Sequence, residues 1–454
     1  MATDIVILAA GKGTRMKSNL PKVLHCLAGR PLLQHVVDAA RTVDDASILV
    51  VTGHGAEQVR LSVRGDDLRY IEQTAQLGTA HAVLQAAPLL YSNGTTLILY
   101  GDVPLISAET IARMLHKVRD RSMSLLTVML ADPTGYGRIV RDENGLVEAI
   151  VEQKDASEAH LQISEVNTGV LALPSKCLQE WLPQIGNENA QGEYYLTDIV
   201  SIARSAGFRV ETLHPQSTEE VEGVNNRLQL NKLERYYQRR LVAKLMAEGN
   251  TLADSARVDV RGTLETGTDN FIDINAIFEG DVVLGSNIKI GPNCLIINSA
   301  IGDAVEIKAN SVIEESQIGK NAVIGPFARL RSGTVLADEV KVGNFVETKK
   351  VNVGKGSKIN HLSYVGDAEI GVNVNVGAGT ITCNYDGVNK HKTTIGDNAF
   401  IGSNTALVAP VTVGNNATVG AGSTINNDVP DNELGLTRAT QRIISDWKRP
   451  SKKG

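Results

Sequence analysis

An aliphatic residue recurs at every sixth position through most of the second half of the chain, usually with a glycine directly after it. The clearest run is Ile395-Gly396, Ile401-Gly402, Leu407, Val413-Gly414, Val419-Gly420 and Ile425. A period of six matches neither the helix repeat nor the alternation of an ordinary strand. It predicts short parallel strands that coil around a prism, with one inward aliphatic side chain on each face. This architecture should extend from about residue 260 to the mid-420s.

The six-residue spacing is interrupted at a few places. Steps of five residues occur over 296–301, 313–318, 348–353 and 365–370, and a longer break between Thr382 and Ile395 contains the loop 384–392. Loss of a residue inside a strand would turn its side chains to the wrong face, so we expect the short steps at corners. The long loop should project outward from the prism, where loops often carry function.

The first 227 residues follow a different pattern. Apolar runs at Asp4–Leu8, Ile48–Thr52 and Leu97–Tyr100 are separated by amphipathic stretches such as Leu32–Thr42. Strands alternating with helices predict an α/β domain with a mixed, mostly parallel sheet and helices on both faces. Ligands of such sheets bind beyond the carboxyl ends of the strands, which is where we expect a functional site.

A helical pattern over residues 228–248 separates the two halves. Leucine and tyrosine side chains recur there at spacings of three and four, and Gly249 is suited to end the helix. We therefore predict an α/β domain over 1–227, a linker helix over 228–248 and a β-helix domain over 249–454. The last residues leave the repeat: 441–447 fit a short helix, and Lys448, Arg449, Lys452 and Lys453 form a basic tail.

Composition restricts the class of protein. The net charge is −6 and the sequence pI is about 5.9, which argues against nucleic acid as the main partner. The four cysteines are scattered without a metal-ligand spacing, as expected for thiols in a reducing compartment. The sequence shows no signal-peptide pattern and no apolar stretch long enough to span a membrane. We expect a cytoplasmic protein.

A glycine-rich turn directly follows the first predicted strand. The segment 8–16 reads LAAGKGTRM, and glycines allow backbone N–H groups to approach a phosphate, while the N-terminus of a following helix would favour its charge. The turn lacks the Gly-Lys-Ser/Thr ending of a Walker A loop, and Met16 replaces the third glycine of the dinucleotide fingerprint. Arg15 and Lys22 place two cations near the turn, so we predict that it binds phosphate.

Longer strings make a family resemblance specific. The segment LAAGKGTRM followed by Leu20–Leu24 resembles the signature of sugar-1-phosphate nucleotidyltransferases. Nearly the whole chain, including 100–105, 132–138, 192–198 and 221–226, resembles the bacterial bifunctional GlmU family. In that family an N-acetylglucosamine-1-phosphate uridyltransferase is fused to a glucosamine-1-phosphate N-acetyltransferase. The resemblance implies a left-handed coil for the β-helix and a homotrimer with acetyl-transfer sites between neighbouring prisms.

The resemblance also implies the residues of the uridyl-transfer site. Taken alone, an Asp after a strand is more often a turn former or helix cap, but the family pattern makes Asp102 and Asn225 ligands of Mg²⁺, which prefers oxygen atoms. Arg15 and Lys22 would act in catalysis by neutralising the phosphates of UTP and the sugar phosphate. The other implied substrate contacts are Leu8, Ala9, Ala10, Gly11, Gln73, Gly78 and Thr79 for the nucleoside, Tyr100 and Gly101 beside the metal, and Gly137, Glu152 and Asn167 for N-acetylglucosamine 1-phosphate.

Taken alone, the hexapeptide repeat indicates only a scaffold. Acetyl transfer from a thioester to an amine needs a base near neutrality, and the family pattern assigns that role to His361 with Glu347 as its orienting partner. The other implied residues are Arg331 and Lys349 for the phosphate of glucosamine 1-phosphate, Tyr364 and Asn375 for its sugar, and Ala378, Asn384, Tyr385, Ser403, Ala421 and Arg438 for acetyl-CoA. The basic tail is either a further contact to coenzyme A from a neighbouring chain or a solvated end.

These inferences predict a bifunctional enzyme that acetylates glucosamine 1-phosphate and then joins the product to UTP with release of pyrophosphate. Its product, UDP-N-acetylglucosamine, would supply peptidoglycan and lipopolysaccharide synthesis. Two alternatives stay open at this point. One is a sugar nucleotidyltransferase with a single activity and a structural β-helix. The other is a non-catalytic regulatory relative, against which Arg15, Lys22 and Asp102 argue.

Overall fold

The computed structural model describes residues 2–63 and 65–452 of the 454-residue chain, so Lys453 of the predicted basic tail lies outside the described residues. Contacts divide the chain into two compact units, with the boundary between Tyr237 and Gln238. This boundary falls inside a long helix, Arg227–Ala247, which matches the helix predicted over 228–248. The assignment of functional domains to 1–227 and 249–454 stays a prediction.

The first unit is built on a mixed sheet. Its strands are β1 Thr3–Ala9, β2 Cys26–Leu27, β3 Arg30–Pro31, β4 Ser47–Thr52, β5 Leu68–Glu72, β6 Thr95–Tyr100, β7 Ser122–Met129, β8 Arg138–Arg141, β9 Val147–Val151, β10 Glu165–Pro174 and β11 Arg209–Leu213. The spatial order is β11-β7-β10-β6-β1-β4-β5, with β8 and β9 as an appended hairpin and β2–β3 as a separate pair. Only β10 runs antiparallel to its neighbours β6 and β7 in the main path.

Helices cover both faces of this sheet, and its strands are therefore buried on both sides. The helices of the unit are α1 Leu32–Ala40, α2 Ala56–Ser62, α3 Thr79–Ala86, α4 Ala108–Lys117, α5 Glu158–Leu161, α6 Ser175–Trp181 and α7 Ile199–Ser205, and α8 Arg227–Ala247 is the helix that contains the boundary. One core cluster contains Val6, Leu49 and Ile98, and the other contains Ile5, Ile7 and Val50, so alternate residues of the same strands pack into opposite layers.

The second unit is a left-handed parallel β-helix, as the repeat and the family resemblance predicted. One face consists of strands 251–252, 271–272, 289–290, 306–307, 323–324, 341–344, 358–361, 375–376, 400–401, 418–419 and 434–435. The other two faces consist of strands 258–266, 276–284, 295–297, 300–301, 312–314, 317–318, 329–330, 334–336, 347–353, 364–370, 381–383, 393–395, 406–408, 411–413 and 424–425. A single apolar column fills the interior, including Ile290, Ile307, Ile324, Val342 and Ile359.

The five-residue steps lie at corners, as predicted. Each one contains a residue with a left-handed backbone: φ is 44° at Asn298, 43° at Glu315, 46° at Lys350 and 48° at Asp367. The residues on both sides of each step stay buried, as for Ile296 and Ile301. The shorter corner therefore preserves the inward phase of the next strand.

Two local predictions were wrong. Residues 441–447 are not helical, and Ile443, Ile444 and Trp447 are exposed there, so this segment has no apolar face to stabilise a helix. The glycine-rich turn leads into a three-residue 3-10 turn, Thr14–Met16, instead of an α-helix. The predicted binding of phosphate would therefore rely on side chains and loop amides. Among the described residues, no helix is both long and apolar enough to cross a membrane.

Candidate active sites

The carboxyl ends of β1 and β6 carry the first site. β1 leads into the glycine-rich turn, and β6 leads into Asp102, so the two segments meet at one edge of the sheet because the strands are parallel neighbours. Lys22 Nζ contacts Asp102 Oδ2 and lies 3.1 Å from Asn225 Oδ1, while Arg15 Nη2 lies 2.9 Å from the same Asn225 oxygen. Four residues from three distant segments thus form one charged cluster.

This cluster fits a divalent cation. The carboxylate of Asp102 and the side-chain oxygen of Asn225 converge on one ammonium group, so both oxygens already face a common positive charge. Mg²⁺ is commonly held by one or two such protein oxygens, with phosphate oxygens and water completing its octahedron. Asp102 and Asn225 therefore form a suitable donor pair for the predicted metal.

A cavity of about 330 Å³ opens beside the cluster. Most of the residues predicted to contact the nucleoside line it, namely Leu8, Ala10, Gly11, Gln73, Gly78 and Thr79, together with Lys22, Tyr100 and Asp102. Ala9 is buried behind the lining, and Gly101 is buried with its N–H bonded to Leu8 O at 2.9 Å. The volume is within the usual range for small-molecule sites.

Gln73 is more restricted than the sequence suggested. It is 4% exposed, and its Nε2 donates to Gly78 O at 3.1 Å and lies 3.0 Å from His81 Nδ1. The amide N–H groups are thus engaged within the protein, which leaves Oε1 to accept a hydrogen bond from a ligand. An imide N–H on a pyrimidine base has the required donor.

Gly78 occupies a position that no other residue fits. Its φ is 120°, and a Cβ there would lie 2.5 Å from Tyr194 O and 2.7 Å from Tyr194 N. Both near atoms belong to the backbone, so they cannot move aside as a flexible side chain would. The glycine allows the start of α3 to pack against the 194–196 segment, where Leu196 N donates to Thr79 Oγ1 at 3.1 Å.

The residues predicted to hold the sugar lie on the β8–β9 hairpin and on β10. A Cβ at Gly137 would be 3.3 Å from Glu152 Oε1, and Gly137 O accepts a hydrogen bond from Asn167 N at 2.9 Å. Burial raises the pKa of Glu152, which accepts a hydrogen bond from Thr197 Oγ1 at 3.2 Å. Glu152 lines a second cavity of about 460 Å³, whose wall also contains Asp155 and Asp198.

Tyr100 is affected by the charges of both Asp102, a proposed metal ligand, and Glu152, a proposed sugar contact. Its pKa is raised, first by burial and then by the negative charges of Asp102 and Glu152. The phenol therefore stays protonated near neutral pH and keeps a hydrogen to donate. Gly169 makes room for the ring, because a Cβ at that position would lie 2.5 Å from Tyr100 Cε2.

In the β-helix unit, His361 lies at the end of the strand Lys358–His361 and is exposed, as predicted from its position past Ile359. Its Nδ1 lies 3.0 Å from Asn344 Oδ1, and the two residues are register partners on adjacent coils. This contact orients the ring and leaves Nε2 available for a substrate.

The predicted orienting role of Glu347 stays a prediction. Its carboxylate pairs with Arg331 Nη1 at 2.7 Å, and it is the register partner of Tyr364, beyond the corner that follows His361. Asn344, which precedes that corner on the face of His361, is the residue that contacts the imidazole ring in this structure. Only the register of adjacent coils, which the chain spacing did not define, could have revealed this residue.

Three cations gather on the face beyond this corner. Arg331 and Lys349 are neighbours on adjacent coils, each two residues after the paired Arg329 and Glu347. The pKa of Lys349 is lowered, first by the charge of Lys390 and then by Arg331. Lys390 belongs to the long loop 384–392 and was not identified from the sequence. The only sequence signal for its approach to the two predicted phosphate ligands is that the loop contains lysines.

Tyr364 and Asn384 lie near each other on the same face. A Cβ at Gly366 would be 2.5 Å from Tyr364 Oη and 3.0 Å from Asn384 Nδ2, so both polar groups lie above this glycine. The Asn384 amide also contacts Asp367 Oδ2. Tyr385 follows at the base of the outward loop and is 61% exposed. These groups are placed for polar contacts around the cation cluster.

The remaining predicted residues form a row along one edge of the β-helix. His361, Ala378, Ser403 and Ala421 each follow by three residues the paired positions Lys358, Asn375, Phe400 and Thr418. Asn375 therefore lies on the coil after Lys358, and Arg438 continues the row, with Nη2 3.8 Å from where a Cβ on Gly420 would be. Adjacent coils are roughly 4.8 Å apart, so the row can accompany an extended ligand.

The fold and the two clusters define a class of protein: a nucleotidyltransferase unit joined to a hexapeptide-repeat unit. The family model of a MobA-like NTP transferase domain matches residues 5–159, that of a GMPPB C-terminal domain matches 264–361, and that of a bacterial transferase hexapeptide (six repeats) matches 392–427. These models cover separate parts of the chain.

Full-length relatives identify the family. The chain is 59% identical to "Bifunctional protein GlmU" of Marinobacter nauticus, over 99% of both chains. It is also 59% identical to the protein of that name from Cellvibrio japonicus, over 99% of both chains, and 56% identical to that of Stutzerimonas stutzeri, over 100% of both. The chain belongs to the bifunctional GlmU family.

Proposed function

We propose that the chain catalyses two successive reactions of UDP-N-acetylglucosamine synthesis. It transfers an acetyl group from acetyl-CoA to the amine of glucosamine 1-phosphate, and it joins N-acetylglucosamine 1-phosphate to the uridylyl group of UTP. Membership of the GlmU family over the full length supports both activities. The observation that carries the proposal is the cluster of Arg15, Lys22, Asp102 and Asn225 in one unit, together with an exposed histidine and, beyond the next corner, three cations in the other.

In uridyl transfer, an oxygen of the sugar phosphate attacks the α-phosphorus of UTP and pyrophosphate leaves. Arg15 and Lys22 neutralise the phosphates, and Gln73 accepts a hydrogen bond from the uracil N–H. Asp102 and Asn225 would hold Mg²⁺, which would supply positive charge to stabilise the negative charge that develops on the phosphates. The protein acts by positioning and electrostatic stabilisation and needs no covalent intermediate.

In acetyl transfer, Nε2 of His361 accepts a proton from the neutral substrate amine as the nitrogen attacks the thioester carbonyl, and the resulting imidazolium donates that proton to the departing thiolate of coenzyme A. Asn344 holds the imidazole through Nδ1. Arg331, Lys349 and Lys390 bind the sugar phosphate. The neighbouring positive charges lower the pKa of Lys349, and a phosphate dianion bound among them would relieve this repulsion. The edge row from Ala378 to Arg438 binds the coenzyme, whose thiol leaves as the amide forms.

We further propose a homotrimer. Phe327 and Phe345 stack at 5.4 Å between ring centroids and are 50% and 57% exposed, and Leu362 beside them is 62% exposed. All three residues have left-handed backbones, which apolar side chains rarely adopt. An exposed apolar stripe of this kind favours burial against a second copy. Light scattering should give three times the chain mass of 48.6 kDa.

One assay tests both activities. The chain is supplied with glucosamine 1-phosphate, acetyl-CoA, UTP and Mg²⁺, while free thiol and pyrophosphate are measured separately. We expect both products, with pyrophosphate dependent on prior acetylation. Thiol without pyrophosphate would remove the uridyl-transfer assignment, and pyrophosphate from supplied N-acetylglucosamine 1-phosphate without thiol release would leave the β-helix as a scaffold. The predicted cytoplasmic location stays a prediction.

A further inference from the structure

Arg138 is a fully buried cation beneath the proposed sugar site. It begins β8, is 2% exposed and ranks among the largest completely buried side chains. Its Nη1 contacts Tyr136 O, and its Nη2 donates to Gln153 Oε1 at 2.8 Å. Its Nε is buried and has no hydrogen-bond partner among the described residues.

This environment is unfavourable for a charge. Among the described residues, both acceptors of Arg138 are neutral amide oxygens, and no carboxylate forms an ion pair with it. Burial of a charge without a partner of opposite sign costs free energy, and an unsatisfied donor adds to that cost. Stability alone therefore gives no reason for an arginine here, because an apolar side chain would avoid both costs.

The contacts of Arg138 close a network around the loop that precedes β8. Gln153 Oε1 accepts from Arg138 and also from Gly135 N, at 3.1 Å. Gly135 and Tyr136 belong to the loop before β8, and Gln153 follows β9. The network thus joins the loop at two points to the end of the neighbouring strand, and the shared acceptor is a single side-chain oxygen.

Arg138 is adjacent to all three residues proposed to hold the sugar. Gly137 precedes it in the chain. Its register partners are Val151 on β9 and Val166 on β10, which directly precede Glu152 and Asn167. The spacing between Gly137, Glu152 and Asn167 therefore depends on the local geometry at this one position.

We propose that Arg138 is a positioning residue for the sugar phosphate in uridyl transfer. Its planar guanidinium spans the loop carbonyl and the Gln153 side chain, and so holds Gly137 against Glu152. Loss of this connection would let the loop move and would weaken sugar binding while leaving the nucleoside cavity intact. The inference rests on the proposed uridyl-transfer activity.

The test compares Michaelis constants for the two substrates. In Arg138→Met we expect KM for N-acetylglucosamine 1-phosphate to rise by about 10-fold or more, because a displaced binding group costs binding energy. KM for UTP should stay within about twofold, since the nucleoside contacts lie elsewhere. Arg138→Lys should show most of the defect, because a point charge cannot span both acceptors.

A second pair of variants decides the matter if Arg138→Met does not fold. Gln153 is partly exposed, so its replacement should be tolerated. Gln153→Leu should reproduce the selective rise in sugar KM, whereas Gln153→Glu keeps acceptor oxygens for Arg138 and Gly135 and should stay close to the wild type. Equal behaviour of the leucine and glutamate variants would overturn the proposal.

Arg141→Gln is the matched control. Arg141 lies on the same strand but pairs with Glu165 at 2.7 Å, away from the loop network, so its sugar KM should not change. An equal rise of both Michaelis constants in the Arg138 variants, or no rise, would refute the positioning role. Absence of uridyl transfer in the wild type would instead refute the proposed function itself.

Discussion

The two units assemble their candidate sites in opposite ways. In the α/β unit, side chains from distant parts of the chain meet at one edge of the sheet, as when Lys22, Asp102 and Asn225 form a single cluster. In the β-helix unit, His361, Ala378 and Ser403 occupy corresponding positions of three successive coils. The first arrangement depends on the topology of the sheet, and the second depends on register.

This difference determines how each site is held. The cluster of the α/β unit is internally paired, since Lys22 and Asp102 are largely shielded, with side-chain exposures of 15% and 14%. In the β-helix unit His361 and Tyr385 are exposed, and of the three cations only Arg331 has a carboxylate partner among the described residues, namely Glu347 at 2.7 Å. The α/β site is preorganised by its own charges, whereas the β-helix site needs an anionic ligand to balance its charge.

The strongest test of this contrast is Asp102→Asn. The change removes the only carboxylate that contacts Lys22 among the described residues and one of two proposed metal ligands. We expect uridyl transfer to fall by about 1,000-fold, because a preorganised charge is lost, while acetyl transfer is retained. Pyrophosphate and thiol release measure the two activities. The exposed Asp120→Asn serves as control, and a parallel loss of both activities would contradict independent sites.

His361→Ala should produce the converse result. Removal of the general base is expected to lower acetyl transfer by about 100-fold or more, with uridyl transfer unchanged. Asn344→Ala should cause a smaller loss in the same assay, because the ring remains but is no longer oriented through Nδ1. A full-sized defect in Glu347→Gln, with none in Asn344→Ala, would favour Glu347 as the orienting residue.

Lys390→Ala examines the unbalanced charge. We expect KM for glucosamine 1-phosphate to rise by about 10-fold, since hydrogen bonds to a charged phosphate are among the stronger ones. The same variant should raise the pKa of Lys349 toward its ordinary value, because the largest cause of the lowered pKa is removed. The control in the same loop is Lys392→Ala. The ammonium of Lys392 pairs with Glu369 at 3.0 Å and is therefore already balanced by a carboxylate.

The smallest effect concerns pH. Because the pKa of Glu152 is raised in the folded state, the unfolded chain releases this proton first as pH rises. The contribution of Glu152 to stability is therefore present at low pH and is lost as pH rises through the folded pKa. The glutamine of Glu152→Gln does not titrate. The thermal midpoint of this variant minus that of the wild type should therefore increase between about pH 4 and pH 7. A pH-independent difference, or an equal gain in the exposed Glu148→Gln, would contradict this explanation.

The sequence predicted the β-helix well because its signal is repeated many times, and each buried aliphatic residue confirms the phase of the next. It predicted β1, β4, β6 and α1 for a similar reason, since long apolar or amphipathic runs leave few alternatives. Contacts across coils were less accessible. The pairing of Asn344 with His361, and of Glu347 with Arg331, depends on which residues become opposite after each corner.

Charge networks were the other limit. Nothing in the local pattern around Arg138 distinguishes a buried cation from an ordinary polar residue of a strand, and Gln153 lies fifteen positions away. The approach of Lys390 to Lys349 requires the path of a loop that carries no repeat. Short turns were also misjudged, because three residues after Gly13 are too few for periodicity to separate a 3-10 turn from the start of an α-helix.

The edge row of the β-helix has a fixed spacing. The separation between His361 and Arg438 can change only by whole coils, which are roughly 4.8 Å apart. Insertion or deletion of one coil between Ala378 and Ser403 would leave every buried side chain in phase. It would nevertheless change the length of the row by one coil, so that the row no longer matches the proposed coenzyme. For the proposed coenzyme site, the number of coils would therefore set the length of ligand that fits, while single residues would supply the chemistry at either end.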